Sequence, residues 1–216
     1  MLICCWSVKG GVGTTVVAAL LALRHSRRTS ALLIDLGGDA AAALGVAPPD
    51  GPGLAEWLDA GDDVGPAALR RLEGDVRPGL GLLGRGQGPL EPLARLELLA
   101  AELAVDERAT VVDAGLVDGS VSGTRLLAAD ADQSILVMRP CYLAMRRAAE
   151  LPVRPSGVVV VSEPGRVLGA QDVEAVVGAP VVCELATDPA VARAVDAGLL
   201  VSRLPKGLDR AIDHAA

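Results

Sequence analysis

The stretch Leu2-Ile3-Cys4-Cys5-Trp6-Ser7-Val8-Lys9-Gly10-Gly11-Val12-Gly13-Thr14-Thr15 decides the reading of this chain. A short run of apolar, β-prone residues passes directly into a glycine-rich turn, and a helical pattern starts at Thr14. Strand, glycine loop and helix in that order make a phosphate-binding device. The glycines let the backbone curl until successive N–H groups face one anion, and the helix N-terminus adds its positive end. Gly10, Gly11, Val12, Gly13, Thr14 and Thr15 are therefore candidate phosphate-binding residues, with Lys9 as their cation. Thr15 stands where a hydroxyl can ligate Mg²⁺.

Composition sharpens the role of Lys9. The 20 basic residues are 18 Arg and 2 Lys, Lys9 and Lys206, so a lysine retained in the loop calls for a chemical reason. The loop also departs from the usual G-x-x-x-x-G-K-(S/T) pattern. Val8 holds the first glycine position, Thr14 holds the lysine position, and the cation comes early.

Outward from the loop, apolar strand-like runs at Leu2–Val8, Ala31–Asp35, Leu80–Leu83, Thr110–Asp113, Ser134–Met138, Gly157–Val161 and Pro180–Cys183 alternate with helical patterns. The helices are expected at Thr14–His25, Leu90–Val105, Gly119–Ala129, Ala144–Leu151, Ala170–Val177 and Pro189–Ala197, the last capped by Asp188. Several runs are apolar on both faces, as buried parallel strands are. The expectation is an α/β fold, a doubly wound and mostly parallel sheet flanked by helices, as one domain over 1–216. Pro48–Gly53 and Gly84–Pro89 read as turn-rich loops.

Composition also excludes. The aromatic residues are Trp6, Trp57 and Tyr142, too few to stack nucleic-acid bases, and the net charge of −7 opposes strong nucleic-acid binding. Arg24, Arg27 and Arg28, Arg70 and Arg71, and Arg146 and Arg147 read as helix-surface cations rather than a DNA patch. No apolar run is long enough to span a bilayer, no signal peptide is expected, and Leu208–Ala216 lacks the basic face of a membrane anchor. Cys4, Cys5, Cys141 and Cys183 form no C-x-x-C pair and read as reduced thiols of a cytoplasmic protein. Glu163 and Arg166 read as exposed loop residues.

The loop resembles the deviant Walker A motif of the ParA/MinD superfamily, K-G-G-x-G-K-(S/T). Its form K-G-G-V-G-T-T is most similar to the CpaE/TadZ branch, whose members often carry Thr or Ser at the usual lysine. Further segments follow the family's order. Leu32-Leu33-Ile34-Asp35 resembles the second strand with its switch aspartate, Val111-Val112-Asp113 resembles Walker B, and Ala131–Val137 is similar to the A-D-x-x-L-L-V strand. Asp188–Gly198 resembles the late segment near the nucleotide base.

The resemblance implies ATP and Mg²⁺ as cofactors. It implies Lys9 reaching across an ATP-dependent homodimer, Thr15, Asp35 and Asp113 at the metal, and Thr187 and Asp188 near the base. The catalytic set would be Lys9, Asp35 and Asp39. Family members carry a second aspartate two residues after the first, where this chain has Gly37, and Asp39 would replace it only after a rearrangement of the loop. Losing that carboxylate and the loop lysine should each cost about two decades in phosphoryl-transfer rate and less in binding. The implied function is a dimeric switch or scaffold positioning an unidentified protein partner, in pilus assembly, secretion or cell division, with weak or absent hydrolysis. Two other readings stand beside it: an interaction protein with a degenerate nucleotide site, and a relative of ATP-dependent amide- or biotin-type ligases.

Overall fold

The computed structural model describes residues 1–61, 64–91, 93–118 and 123–202. Strand β1 (Leu2–Ser7) is buried along its whole length. Its side chains alternate between two apolar layers: Leu2, Cys4 and Trp6 enter one, Ile3 and Cys5 the other. Trp6, whose indole needs an acceptor once buried, donates from Nε1 to Ser134 Oγ at 2.9 Å.

Seven further strands complete the sheet among the described residues: β2 (Ala31–Asp35), β3 (Glu73–Arg77), β4 (Leu80–Leu83), β5 (Ala109–Leu116), β6 (Gln133–Met138), β7 (Gly157–Ser162) and β8 (Val181–Ala186). The order is β3-β4-β2-β5-β1-β6-β7-β8. All neighbours are parallel except β3, which closes one edge antiparallel to β4. The chain winds outward in both directions from β1, so β1 stands at the switch point, where α/β sheets bind ligands beyond the strand C-termini.

Helices α1 (Thr14–His25), α2 (Ala40–Leu44) and α8 (Pro189–Asp196) pack with the layer of Ile3 and Cys5. Helices α3 (Leu54–Asp59), α4 (Leu93–Ala104), α5 (Gly123–Asp130), α6 (Tyr142–Glu150) and α7 (Ala170–Val177) pack with the layer of Trp6. The expected sheet, both helical layers and the Asp188 cap are present, with Asp188 Oδ1 accepting Ala190 N–H at 2.7 Å.

Sequence patterning missed β3, α2, α3 and the 3₁₀ turn Pro66–Arg71. It also placed the start of α6 two residues late and stopped β5 before Leu116. The proposed helix start at Gly119 and the stretch Leu208–Ala216 lie outside the described residues.

The two turn-rich loops interlock. Leu54 and Ala55 N–H groups donate to the carbonyls of Gly84 and Arg85, and Glu56 accepts from Gly53 N–H and Gln87 N–H, both at 2.7 Å. A second close approach joins the end of α2 to the turn after α8. Gly45 and Gly198 both have positive φ, and a Cβ on Gly45 would collide with the Gly198 carbonyl.

Candidate functional site

The loop after β1 needs glycine at two places for backbone reasons: Gly11 has φ 73° and Gly13 has φ 98°. Gly13 caps α1 without a side chain, which leaves the first-turn N–H groups for an anion. Added Cβ atoms at Gly10, Gly11 or Gly13 would meet nothing, so the loop stands clear of the rest of the fold. Lys9 is exposed, Thr14 is buried and Thr15 is half-buried at the base of the loop. Arg147, read from sequence as a surface cation, donates to the Val8 carbonyl at 3.2 Å and props the start of the loop.

Beside Thr15 stand two carboxylates. Asp35 on β2 and Asp113 on β5 are register partners, and both are buried. Asp35 is fully engaged: its oxygens accept Gly38 N–H and Ala40 N–H, which folds the turn between β2 and α2. Asp113 is not. One oxygen accepts Gly115 N–H at 3.1 Å, while Oδ2 is buried without a hydrogen-bond partner. Burial pushes the Asp113 carboxyl up to about 6; the Thr15 hydroxyl pulls the other way, and the Asp35 charge adds to the rise. Burial likewise raises Asp35.

A buried carboxylate oxygen without a partner, next to a threonine hydroxyl and a phosphate-type loop, is the donor set that Mg²⁺ takes, since Mg²⁺ binds through one or two protein oxygens plus phosphate and water. The residues therefore fit the ion: Thr15 and Asp113 would hold it beside Asp35, and it would neutralise phosphate charge. Among the described residues no group of three His, Cys, Asp or Glu converges to make an all-protein metal cage.

Gly37 sits against this pair. A Cβ there would lie 3.1 Å from Asp113 Oδ2 and 3.7 Å from Asp35 Oδ1. Asp39 is exposed at the N-terminus of α2, where its side chain makes no cap, and its charge raises both buried carboxyls. Arg85, from the loop after β4, reaches this turn and donates to the Leu36 carbonyl.

A groove of about 840 Å³ opens between α1 and α8 and is lined by Val12 and Gly13 of the loop. Thr187 and Asp188 line it, as do Arg139 and Glu163. Glu163 is not the exposed loop residue that sequence suggested. It is half-buried and accepts from Arg139 at 3.1 Å and from Arg166 at 2.6 Å, because the C-terminal ends of β6 and β7 are adjacent in the sheet. Arg24 likewise leaves the supposed surface patch, being buried at 7% exposure. Arg85, Arg139 and Arg147 had one sequence signal among them: Arg139 ends an apolar strand run just before Pro140, where ligand-facing residues of parallel sheets stand.

Solved structures share this architecture. A ParA family ATPase from Chlorobium tepidum TLS superposes with TM-score 0.74 and 18% identity over 98% of this chain and 96% of its own. The fold is that of the ParA and MinD ATPases. MinD in the MinC:MinD cell division complex of Aquifex aeolicus gives TM-score 0.77 and 18% identity over 98% of this chain and 92% of that one. The Pyrococcus horikoshii OT3 septum site-determining protein MinD with Mg-ADP gives 0.72 and 17%, over 98% and 93%. At these identities the likeness is one of fold. No protein-family model and no curated protein matches the sequence. Among the described residues no helix is long and apolar enough to cross a membrane.

Proposed function

We propose that this chain binds Mg-ATP at Lys9–Thr15 and works as a ParA/MinD-type dimeric switch or scaffold that positions a partner assembly, of the pilus, secretion or cell-division kind, with hydrolysis slow or absent. The observation that carries the proposal is the unpartnered Asp113 Oδ2 beside Thr15. A buried carboxylate oxygen held without a hydrogen bond is costly unless a cation is its partner in the working state. A chain with a wholly degenerate site would have no use for it, and this favours nucleotide binding over the pure interaction protein. The ligase reading asks for an active loop lysine where Thr14 stands.

The weak-hydrolysis part rests on Thr14 and Gly37. Neither brings charge to the phosphates or a carboxylate to the attacking water, and both losses act on the transition state more than on the bound ground state. The dimer, the cytoplasmic location and the protein partner are part of the proposal, and the family resemblance is what supports them. MinD of Aquifex aeolicus, in its complex with MinC, is the precedent for a partner.

Calorimetry with Mg-ATP and steady-state phosphate release test the reading together. Binding with turnover near background is expected; brisk turnover, or no binding of any nucleotide, overturns it. Sedimentation with a slowly hydrolysed ATP analogue tests the dimer, which Lys9→Ala should weaken without unfolding the monomer. An unchanged dimer fraction in that variant removes Lys9 from the interface.

A further inference from the structure

We propose that Arg139 supplies the positive charge toward the nucleotide's phosphates that the loop lacks at Thr14, with Glu163 holding the guanidinium when no nucleotide is bound. The inference rests on the nucleotide-binding reading above.

Position comes first. Strand β6 runs parallel to β1 with Leu136 opposite Trp6. Three residues on from that pair, Arg139 follows the end of β6 and Lys9 opens the phosphate loop. Arg139 also lines the same groove as Val12 and Gly13. A residue distant from the loop in sequence is thereby placed at its rim.

The bonding of Arg139 shows spare capacity. Its guanidinium donates to Glu163 Oε1 at 3.1 Å, its Nε is buried with no hydrogen-bond partner, and its side chain is 43% exposed. Five N–H donors in a planar fork can do more than this, and two parallel bonds to phosphate oxygens are what such a fork is shaped for.

Glu163, for its part, does not depend on Arg139. Arg166 donates to Glu163 Oε2 from both Nε and a terminal nitrogen, at 2.8 and 2.6 Å. The charges of Arg166, Arg139 and Lys9 all favour the ionised carboxylate. When Arg139 leaves, Glu163 keeps a two-bond partner, so the exchange costs little. A polyphosphate offers several negative oxygens against the single charge of Glu163, so the guanidinium moves to the phosphates when they arrive.

The test measures affinities of the full chain for Mg-ATP, ADP and adenosine, in wild type, Arg139→Ala, Arg139→Lys and Glu163→Gln. Arg139→Ala should weaken ATP by about 10- to 100-fold, as loss of charge-assisted bonds does, and leave adenosine unchanged. Its ATP affinity should fall less steeply with salt. Arg139→Lys should lie between, keeping the charge without the fork. Glu163→Gln, which weakens the resting partner, should tighten ATP. Arg139→Gln carries the same comparison if the alanine variant does not fold. Equal losses for ATP and adenosine, or no loss at all, would overturn the assignment while leaving nucleotide binding intact. A wild type that binds no nucleotide overturns both.

Discussion

Asp35 and Asp113 are register partners on neighbouring parallel strands, so their backbones stand about one strand spacing, ~4.8 Å, apart in the centre of the sheet. Their bonding is unequal. Asp35 is consumed by the backbone of the turn that follows it, and Asp113 keeps one oxygen free. One carboxylate is thus left with an open oxygen, and the other holds the turn in shape.

Asp113 is a liability to the unliganded fold at neutral pH. Its carboxyl is raised to about 6 by burial, so the native state holds its proton to higher pH than the unfolded chain does. Stability is therefore fullest at low pH with respect to this group and is lost as pH rises from about 4 to 6. Asp113→Asn should raise the Tm of the magnesium-free protein at pH 7.5, by roughly 3 °C or more for a stability gain on the order of 1–3 kcal/mol. The advantage should vanish near pH 4. Calorimetric melts of both proteins between pH 4 and 8 check it, and a less stable Asp113→Asn at pH 7.5 would refute it.

Gly37→Asp puts a third carboxylate against the pair. Gly37 is not among the positive-φ glycines, so the obstacle is space and charge rather than backbone. The variant should lose about 1–3 kcal/mol without ligand, and Mg-ATP should raise its Tm more than it raises that of wild type. Denaturant melts with and without Mg-ATP decide; an unligated variant as stable as wild type counts against the crowding.

Thr14→Lys returns a cation to the loop. ATP binding should tighten about tenfold, the effect of one charge-assisted contact, while phosphate release stays near background because Gly37 still supplies no carboxylate. Adding Gly37→Asp should raise the rate beyond the product of the single effects, since groups acting in one transition state are not additive. A single Thr14→Lys variant with brisk turnover would show that Gly37 is no obstacle to chemistry.

Arg95 is a structural arginine. It is 5% exposed, its guanidinium lies 4.0 Å from the Trp57 ring centroid, and it donates to the carbonyls of Trp57, Gly61 and Val64. Arg95→Ala should cost about 3 kcal/mol or more, as one buried and two part-buried carbonyls and the ring face lose their partner. Arg95→Lys should recover only part of this, because an ammonium cannot span the three acceptors as the fork does. Urea unfolding measures both, and a loss below 1 kcal/mol in Arg95→Ala would contradict the buried geometry.

Why some of this was legible and some was not follows from the kind of signal each part leaves. Strands β1, β2 and β5 to β7 are largely buried on both faces, so they appear as mostly apolar runs. Strand β3 reads Glu73-Gly74-Asp75-Val76-Arg77 and is only partly buried, because an edge strand needs no apolar run and gains from charge. Helices α2 and α3 are five and six residues long, too short to show a helical period. The phosphate loop is legible because its chemistry is contiguous. Arg139 and Glu163 meet the groove beside the loop, and Arg85 meets the turn after β2, only through strand order, which local pattern does not encode.

The Gly45–Gly198 approach bears on how this chain tolerates change. Gly45 ends the helix that follows the Asp35 turn, and Gly198 ends the helix whose N-terminus borders the groove. A Cβ on Gly45 would overlap the Gly198 carbonyl, and one on Gly198 would stand 3.2 Å from Gly45 Cα at a positive φ, so alanine is strained at both positions and excluded outright at Gly45. In a library of single substitutions both should emerge as isolated intolerant positions on the periphery. No change at one would rescue a change at the other, since the collision is with main chain. The two segments on either side of the phosphate loop are in this way bound to a common spacing, and sequence drift in either must preserve it.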